Sequence, residues 1–141
     1  MNNSISKMPV LLVFYSIIII TGCSDDDSLK FPRDGFWSGK TNQNENIHFN
    51  VLNSSTRIED FKITISCSVS WGTMNVTITY PPGFPINDNE FTWDDYDISI
   101  KGFFENATHC YGVFSYADDT GYPDYLPMSA TGTWTADWES D

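Results

Sequence analysis

The side chains of this chain best supplied for chemistry are its carboxylates: 19 Asp and Glu stand against 7 Lys and Arg, with only two histidines. Two carboxylates can hydrolyse a glycosidic bond, one as acid and one as base or nucleophile. In so acidic a chain some such pair is nearly inevitable, and none stands out. His48 and His109 each lie in a strand-like stretch, where a solvent-facing or hydrogen-bonded ring is the commoner role. No G-x-S-x-G, H-E-x-x-H, Walker loop or C-x-x-C occurs, so a non-catalytic protein is expected.

Calcium has more support. "NDNEFTWDDYD" gathers Asp88, Asn89, Glu90, Asp94, Asp95 and Asp97, and "DDTGYPD" adds Asp118, Asp119 and Asp124. These are oxygen donors on loops, of the kind Ca2+ takes, without the order of an EF-hand. Asp88, Asp94, Asp95 and Asp97 are the candidate ligands; the plainer reading is acidic turns that keep the surface soluble. No other cofactor is implied. Tyr122, Tyr125 and Phe84 sit beside glycine and proline, where a flat ring can be offered to a sugar or a partner protein, or can cap the end of a fold. Cys67 and Cys110 are an even pair. A disulfide, worth about 2 to 4 kcal/mol, and two buried free thiols both remain open; zinc is disfavoured because neither cysteine has a close second ligand.

The remaining cysteine, Cys23, sits at a seam. Lys7 is the one charge before it, and Met8 to Ile20 is apolar apart from Pro9, Tyr15 and Ser16. A positive start and a short apolar core make a signal peptide, too short for the roughly 20 residues of a membrane-spanning helix. Ile20-Thr21-Gly22-Cys23 resembles the bacterial lipobox. That resemblance implies cleavage before Cys23 and acylation of its thiol and new amino terminus, with two or more acyl chains making a stable anchor. Ser24-Asp25-Asp26-Asp27 is similar to the surface-export signal of Bacteroidota lipoproteins, which implies an outward-facing protein on the outer membrane. Asp27-Ser28-Leu29 resembles the short O-glycosylation sequon of the same bacteria. The Asn-x-Ser/Thr matches at Asn53, Asn75 and Asn106 are discounted, since the lipobox argues for a bacterium.

The chain thus divides into a signal peptide over 1–22, a lipidated cysteine with an acidic tether over 23–33, and one domain over 34–141. Loss of Lys7 with the signal takes the formal net charge from −12 to −13. A field of that sign repels phosphate backbones and anionic headgroups, so nucleic acid is an unsuitable partner and the lipid anchor is the expected membrane contact.

The elements that must position any site alternate with a period of two. In "FKITISCSVSW", Phe61, Ile63, Ile65, Cys67, Val69 and Trp71 point one way and polar residues the other. "MNVTITY" repeats this with Met74, Val76, Ile78 and Tyr80, and "YDISIKGFF" with Tyr96, Ile98, Ile100 and Phe104. "GFWSGK", "NIHFNVL", "EFTWD", "HCYGVFSYA" and "ATGTWTADW" read alike, and Gly and Pro punctuate the gaps. Most of Trp37, Trp71, Trp93, Trp134 and Trp138 are assigned to the core. About eight short, half-wet strands predict a single antiparallel β-sandwich, jelly-roll or Ig-like.

"GFWSGKTNQNENIHFNV", "ISIKGFF" and "TGTWTAD" together resemble a recurrent extracellular bacterial β-domain: G-x-W-x-G, then I-x-F-x-V, a central I-x-G-x-F and a closing T-W-T-A. The resemblance covers Gly35 to about Asp137 and implies a secreted β-sandwich without a settled activity. "NATHCYGVFSY" departs from the pattern, which usually has its cysteine nearer the closing tryptophan. The expected function is a cell-surface binding or adhesion module for a glycan or surface protein; the alternative is a structural envelope lipoprotein, calcium-stabilised or not.

Overall fold

Alternation over short segments leaves no helical stripe, and β-branched and aromatic residues fill the apolar positions; extended chain is the conformation that buries them. A computed structural model describes residues 32–69, 71–118 and 127–140, and in these residues the fold is all-β. The strands are β1 (Gly35–Thr41), β2 (Asn46–Leu52), β3 (Arg57–Val69), β4 (Gly72–Tyr80), β5 (Phe84–Pro85), β6 (Glu90–Asp94), β7 (Ile98–Phe104), β8 (His109–Asp118) and β9 (Met128–Ser140).

They pair antiparallel in the order β4-β3-β2-β1-β9-β8-β7-β6, with β5 extending the edge of β3 beyond β4. The sheet folds over so that β1–β4 face β6–β9 in a two-sheet sandwich. Because β4 and β6 do not pair, it is not a closed barrel. The expected sandwich is therefore present; β1–β4 and β6–β9 are each joined by nearest-neighbour hairpins rather than in the Greek key of jelly rolls and Ig domains, and the chain crosses from β4 through β5 to β6 between the two halves. Beyond the tip of the β1–β2 hairpin, β3 and β9 meet again at Ser68 and Ser129. The tip is held between them: Asn42 N–H donates to the Thr133 carbonyl (2.8 Å), and the Gln43 amide pairs with both backbone groups of Ser66 (2.8 and 2.9 Å).

The inner faces meet in an aromatic core. Trp37, Phe49, Phe61 and Trp134 are almost wholly buried. Phe49 is central, its ring centroid between 5.9 and 6.3 Å from those of Phe61, Phe91, Phe104 and Trp134. Trp37, Ile47, Phe49, Val51, Ile100, Phe104, Trp134 and Ala136, the apolar residues of the four sequence motifs, all lie in this core.

Two aromatic assignments are corrected. Trp71 is 63 % exposed because it falls in the β3–β4 turn, although it continues the alternation in sequence. Tyr96 is fully exposed because it lies in the β6–β7 turn, two residues before β7 begins. The phase of β3 is also reset: Ile58 and Phe61 both face inward, three apart. Asp60, with φ of 50°, occupies a bulge opposite the shift between His48 and Asn50.

Pro32 and Arg33, just before the expected start of the domain, pack onto it. Pro32 is buried, and Arg33 N–H donates to the Ala107 carbonyl (3.1 Å). Asn53, Ser54 and Ser55 all have positive φ, and the Asp34 carboxylate accepts the amides of Ser54 and Ser55 (2.9 and 2.6 Å). Consecutive left-handed residues expose amides in a concavity suited to an anion, and here the chain's own carboxylate fills it.

Candidate ligand-binding groove

Gly102 of β7 and Gly112 of β8 are directly paired, and their other partners are Phe91 of β6 and Trp134 of β9. A Cβ on Gly102 would lie 2.2 Å from Phe91 Cζ; one on Gly112 would lie 2.0 Å from the Lys101 carbonyl oxygen and 2.4 Å from Trp134 Cζ2. Glycine is required at both positions because the two large rings fold inward over them. Those rings meet above the pair, stacked at 5.8 Å and 27°, an aromatic cover over strand glycines.

On the opposite, solvent face, two cross-strand rows flank the same glycines. One is Glu90, Phe103, Tyr111 and Thr135; the other is Thr92, Lys101, Val113 and Thr133. They line a shallow depression of about 570 Å³. Tyr111 is 44 % exposed and Val113 49 %, and the Phe103 and Tyr111 rings lie 5.4 Å apart at 56°. The surface thus combines a ring-lined shelf with threonine hydroxyls, one ammonium and one carboxylate. An aromatic face can pack against the C–H face of a sugar while such polar groups take its hydroxyls.

A second depression of about 510 Å³ lies on the outer face of β1–β4 and β9. A polar row runs across it through His109, Asp137, Ser38, His48, Lys62 and Thr79. His109 Nδ1 and Asp137 Oδ1 are 2.6 Å apart. Burial, then the neighbouring Lys62 ammonium, hold His48 below the usual imidazole range. Ser38 Oγ donates to Glu139 Oε1 (2.7 Å) rather than to His48, so serine and histidine are adjacent without forming a nucleophile–base pair.

The residues expected to act are distributed otherwise. Phe84 is buried, packed against Phe61 and Phe91, and offers no ring to a ligand; the correction follows from β5 pairing with β3 over the core. Tyr122 and Tyr125, with Cys23 and Ser24 to Asp27, lie outside the described residues.

Cys67 and Cys110 are free, buried thiols. Ser68, next to Cys67, pairs with Ser129, whose other partner is Ala117, whereas Cys110 is seven residues from Ala117 along β8, about 23 Å of extended strand. A disulfide needs Cα atoms within about 7 Å. Burial raises the pKa of both thiols. It also raises that of Tyr116, with Asp118, Cys67 and Asp97 adding to the effect.

The carboxylates named for calcium do not converge. Asp88 is in the turn before β6 and Asp94, Asp95 and Asp97 are at its far end, separated by the length of β6, about 13 Å of extended strand. Asp94 accepts a bond from Ser99 Oγ, and Asp95 Oδ1 accepts from the Tyr96 amide (2.8 Å). Among the described residues no group of three or more His, Cys, Asp or Glu is placed to hold a metal ion.

Sequence reading missed the groove because Phe103 and Tyr111 occupy the wet positions of their strands, and only the pairing register makes them neighbours. The usable signal was an aromatic at a solvent-facing position in each of two adjacent strands. No protein-family model matches the chain, and no curated protein or solved structure is significantly similar to it.

Proposed function

We propose that this chain is a lipid-anchored, non-catalytic sugar-binding module facing outward from an outer membrane, with the β6–β9 outer face as its binding surface. The observation that carries the reading is the shelf of half-buried Phe103 and exposed Tyr111 with Val113, bordered by Thr92, Thr133, Thr135, Lys101 and Glu90. Rings held on strands are positioned before binding, so little side-chain entropy is lost when a ligand arrives. A sugar chain suits the mixture of flat apolar rings and hydroxyls, and an uncharged sugar is not repelled by a chain of net charge −12. The place of action rests on the lipobox ending at Cys23 and on the acidic run Asp25 to Asp27.

The test is a glycan array followed by calorimetry with the best oligosaccharide. Tyr111→Ala and Phe103→Ala are each expected to weaken binding about tenfold or more, the usual consequence of removing a central aromatic contact. An empty array, or binding unaltered by both substitutions, overturns the groove and favours the structural envelope role. Mass spectrometry of the purified protein tests the anchor: an acylated Cys23 at the amino terminus is expected. Replacing Asp25, Asp26 and Asp27 by alanine is expected to abolish proteinase accessibility on intact cells while leaving lipidation in place.

A further inference from the structure

The sheet ends in two edges of opposite character. β6 has only five residues and carries Glu90 and Asp94 at its ends. Short length and charge are the devices that keep a sheet edge from pairing with another chain. β4 has nine residues, Gly72-Thr-Met-Asn-Val-Thr-Ile-Thr-Tyr80, without a charge or a proline, in a chain with 19 acidic residues. Elsewhere the fold guards open backbone: where β3 runs past β2, the Gln43 amide occupies both backbone groups of Ser66. Among the described residues β4 pairs only with β3.

The inner row of β4 is also unfinished. Met74, Val76, Ile78 and Tyr80 are half-buried, whereas Ile63, Ile65 and Cys67, one strand further in, are fully buried. One more strand along β4 would cover the remaining apolar surface and take up the free backbone groups. We propose that this strand is β4 of a second copy, paired antiparallel across a twofold axis through Val76.

The sequence of β4 suits itself in that register. Val76 faces its own copy, Met74 faces Ile78, Thr73 faces Thr79 and Asn75 faces Thr77, so apolar meets apolar on the inner side and polar meets polar on the outer. A twofold contact requires such self-complementarity. Lack of charge matters more here than in most chains: two copies of net charge −12 repel, and β4 is a long edge that brings no ionised side chain into the contact. The dimer does not depend on the sugar-binding reading, because the groove lies on β6–β9 in the other half of the sandwich.

The experiment measures the mass of the purified full-length protein in detergent by sedimentation over a concentration series. The wild-type chain is expected to sediment as a dimer that dissociates on dilution. Thr73→Lys with Thr79→Lys places ammonium groups opposite one another twice across the axis and is expected to weaken the dimer at least about tenfold, since like charges directly opposite destabilise a strand pair. Both threonines are exposed; Thr79 lies opposite Lys62 within its own copy, and the next variant carries the same Thr79→Lys, so any cost of that pair to the fold is common to both. Thr73→Glu with Thr79→Lys keeps the lysine but opposes it with a carboxylate, and is expected to restore the dimer. A monomeric wild-type chain overturns the proposal. So does a lysine pair that leaves the dimer intact, or a glutamate–lysine variant no tighter than the lysine pair; these results point to micelle-driven association or to another occupant of the edge.

Discussion

Adding one methyl group at Gly112 tests the account of how the groove is built. In Gly112→Ala the new Cβ falls 2.0 Å from the Lys101 carbonyl oxygen and 2.4 Å from Trp134 Cζ2. Both separations are far inside van der Waals contact. Neither neighbour can yield cheaply: the oxygen is backbone of the adjacent strand, and Trp134 is 1 % exposed and stacked on Phe91. Overpacking a filled core costs about 1 to 3 kcal/mol, and two clashes, one with backbone, place this substitution at the upper end, about 3 kcal/mol. For a domain of this size that lowers Tm by roughly 12 to 24 °C. Gly72→Ala is the matched control: its φ is +145°, so a side chain is strained there, but a Cβ meets nothing within 4 Å. It is expected to cost about 1 kcal/mol. Urea unfolding followed by tryptophan fluorescence gives both values. A Gly112→Ala protein within about 0.5 kcal/mol of wild type, or one less affected than Gly72→Ala, would refute the claim that close approach of Trp134 and β7 demands glycine.

Two other outcomes can be measured the same way. Trp37 Nε1 donates to the Arg33 carbonyl (3.0 Å), whereas Trp134 Nε1 is buried with no hydrogen-bond partner among the described residues. Trp37→Phe is therefore expected to cost about 1 kcal/mol more than Trp134→Phe, and equal losses would contradict that difference. Cys110, Cys67 and Tyr116 have pKa values raised by burial in the folded state. The native state then holds protons that the unfolded chain releases, so their contribution is complete below the unfolded values of about 8.5 for thiol and 10 for phenol and declines as pH rises past them. Under reducing conditions stability is expected to fall from about pH 8.5 upward, each group adding up to about 1.4 kcal/mol per pH unit. Cys110→Ala should flatten the curve between about pH 9 and 10; an unchanged slope would remove Cys110 from the explanation.

The all-β class was legible in the sequence because alternation is local: each residue's side is decided by its immediate neighbours and the pleat, and the residues of β3, β4 and β7 face as their spacing indicates wherever they lie within a strand. Alternation fails where strands stop or slip. Trp71 and Tyr96 continue the pattern in sequence but sit in turns, and the bulge at Asp60 moves the phase of β3 by one. The separation of Cys67 from Cys110 and the burial of Phe84 depend on which strands become neighbours and in what register. These are long-range pairings that composition and spacing do not encode. The groove belongs to the same class. Phe103 and Tyr111 are eight residues apart in sequence, and they form one shelf only because β7 and β8 pair Gly102 with Gly112 and thereby set the two rings side by side.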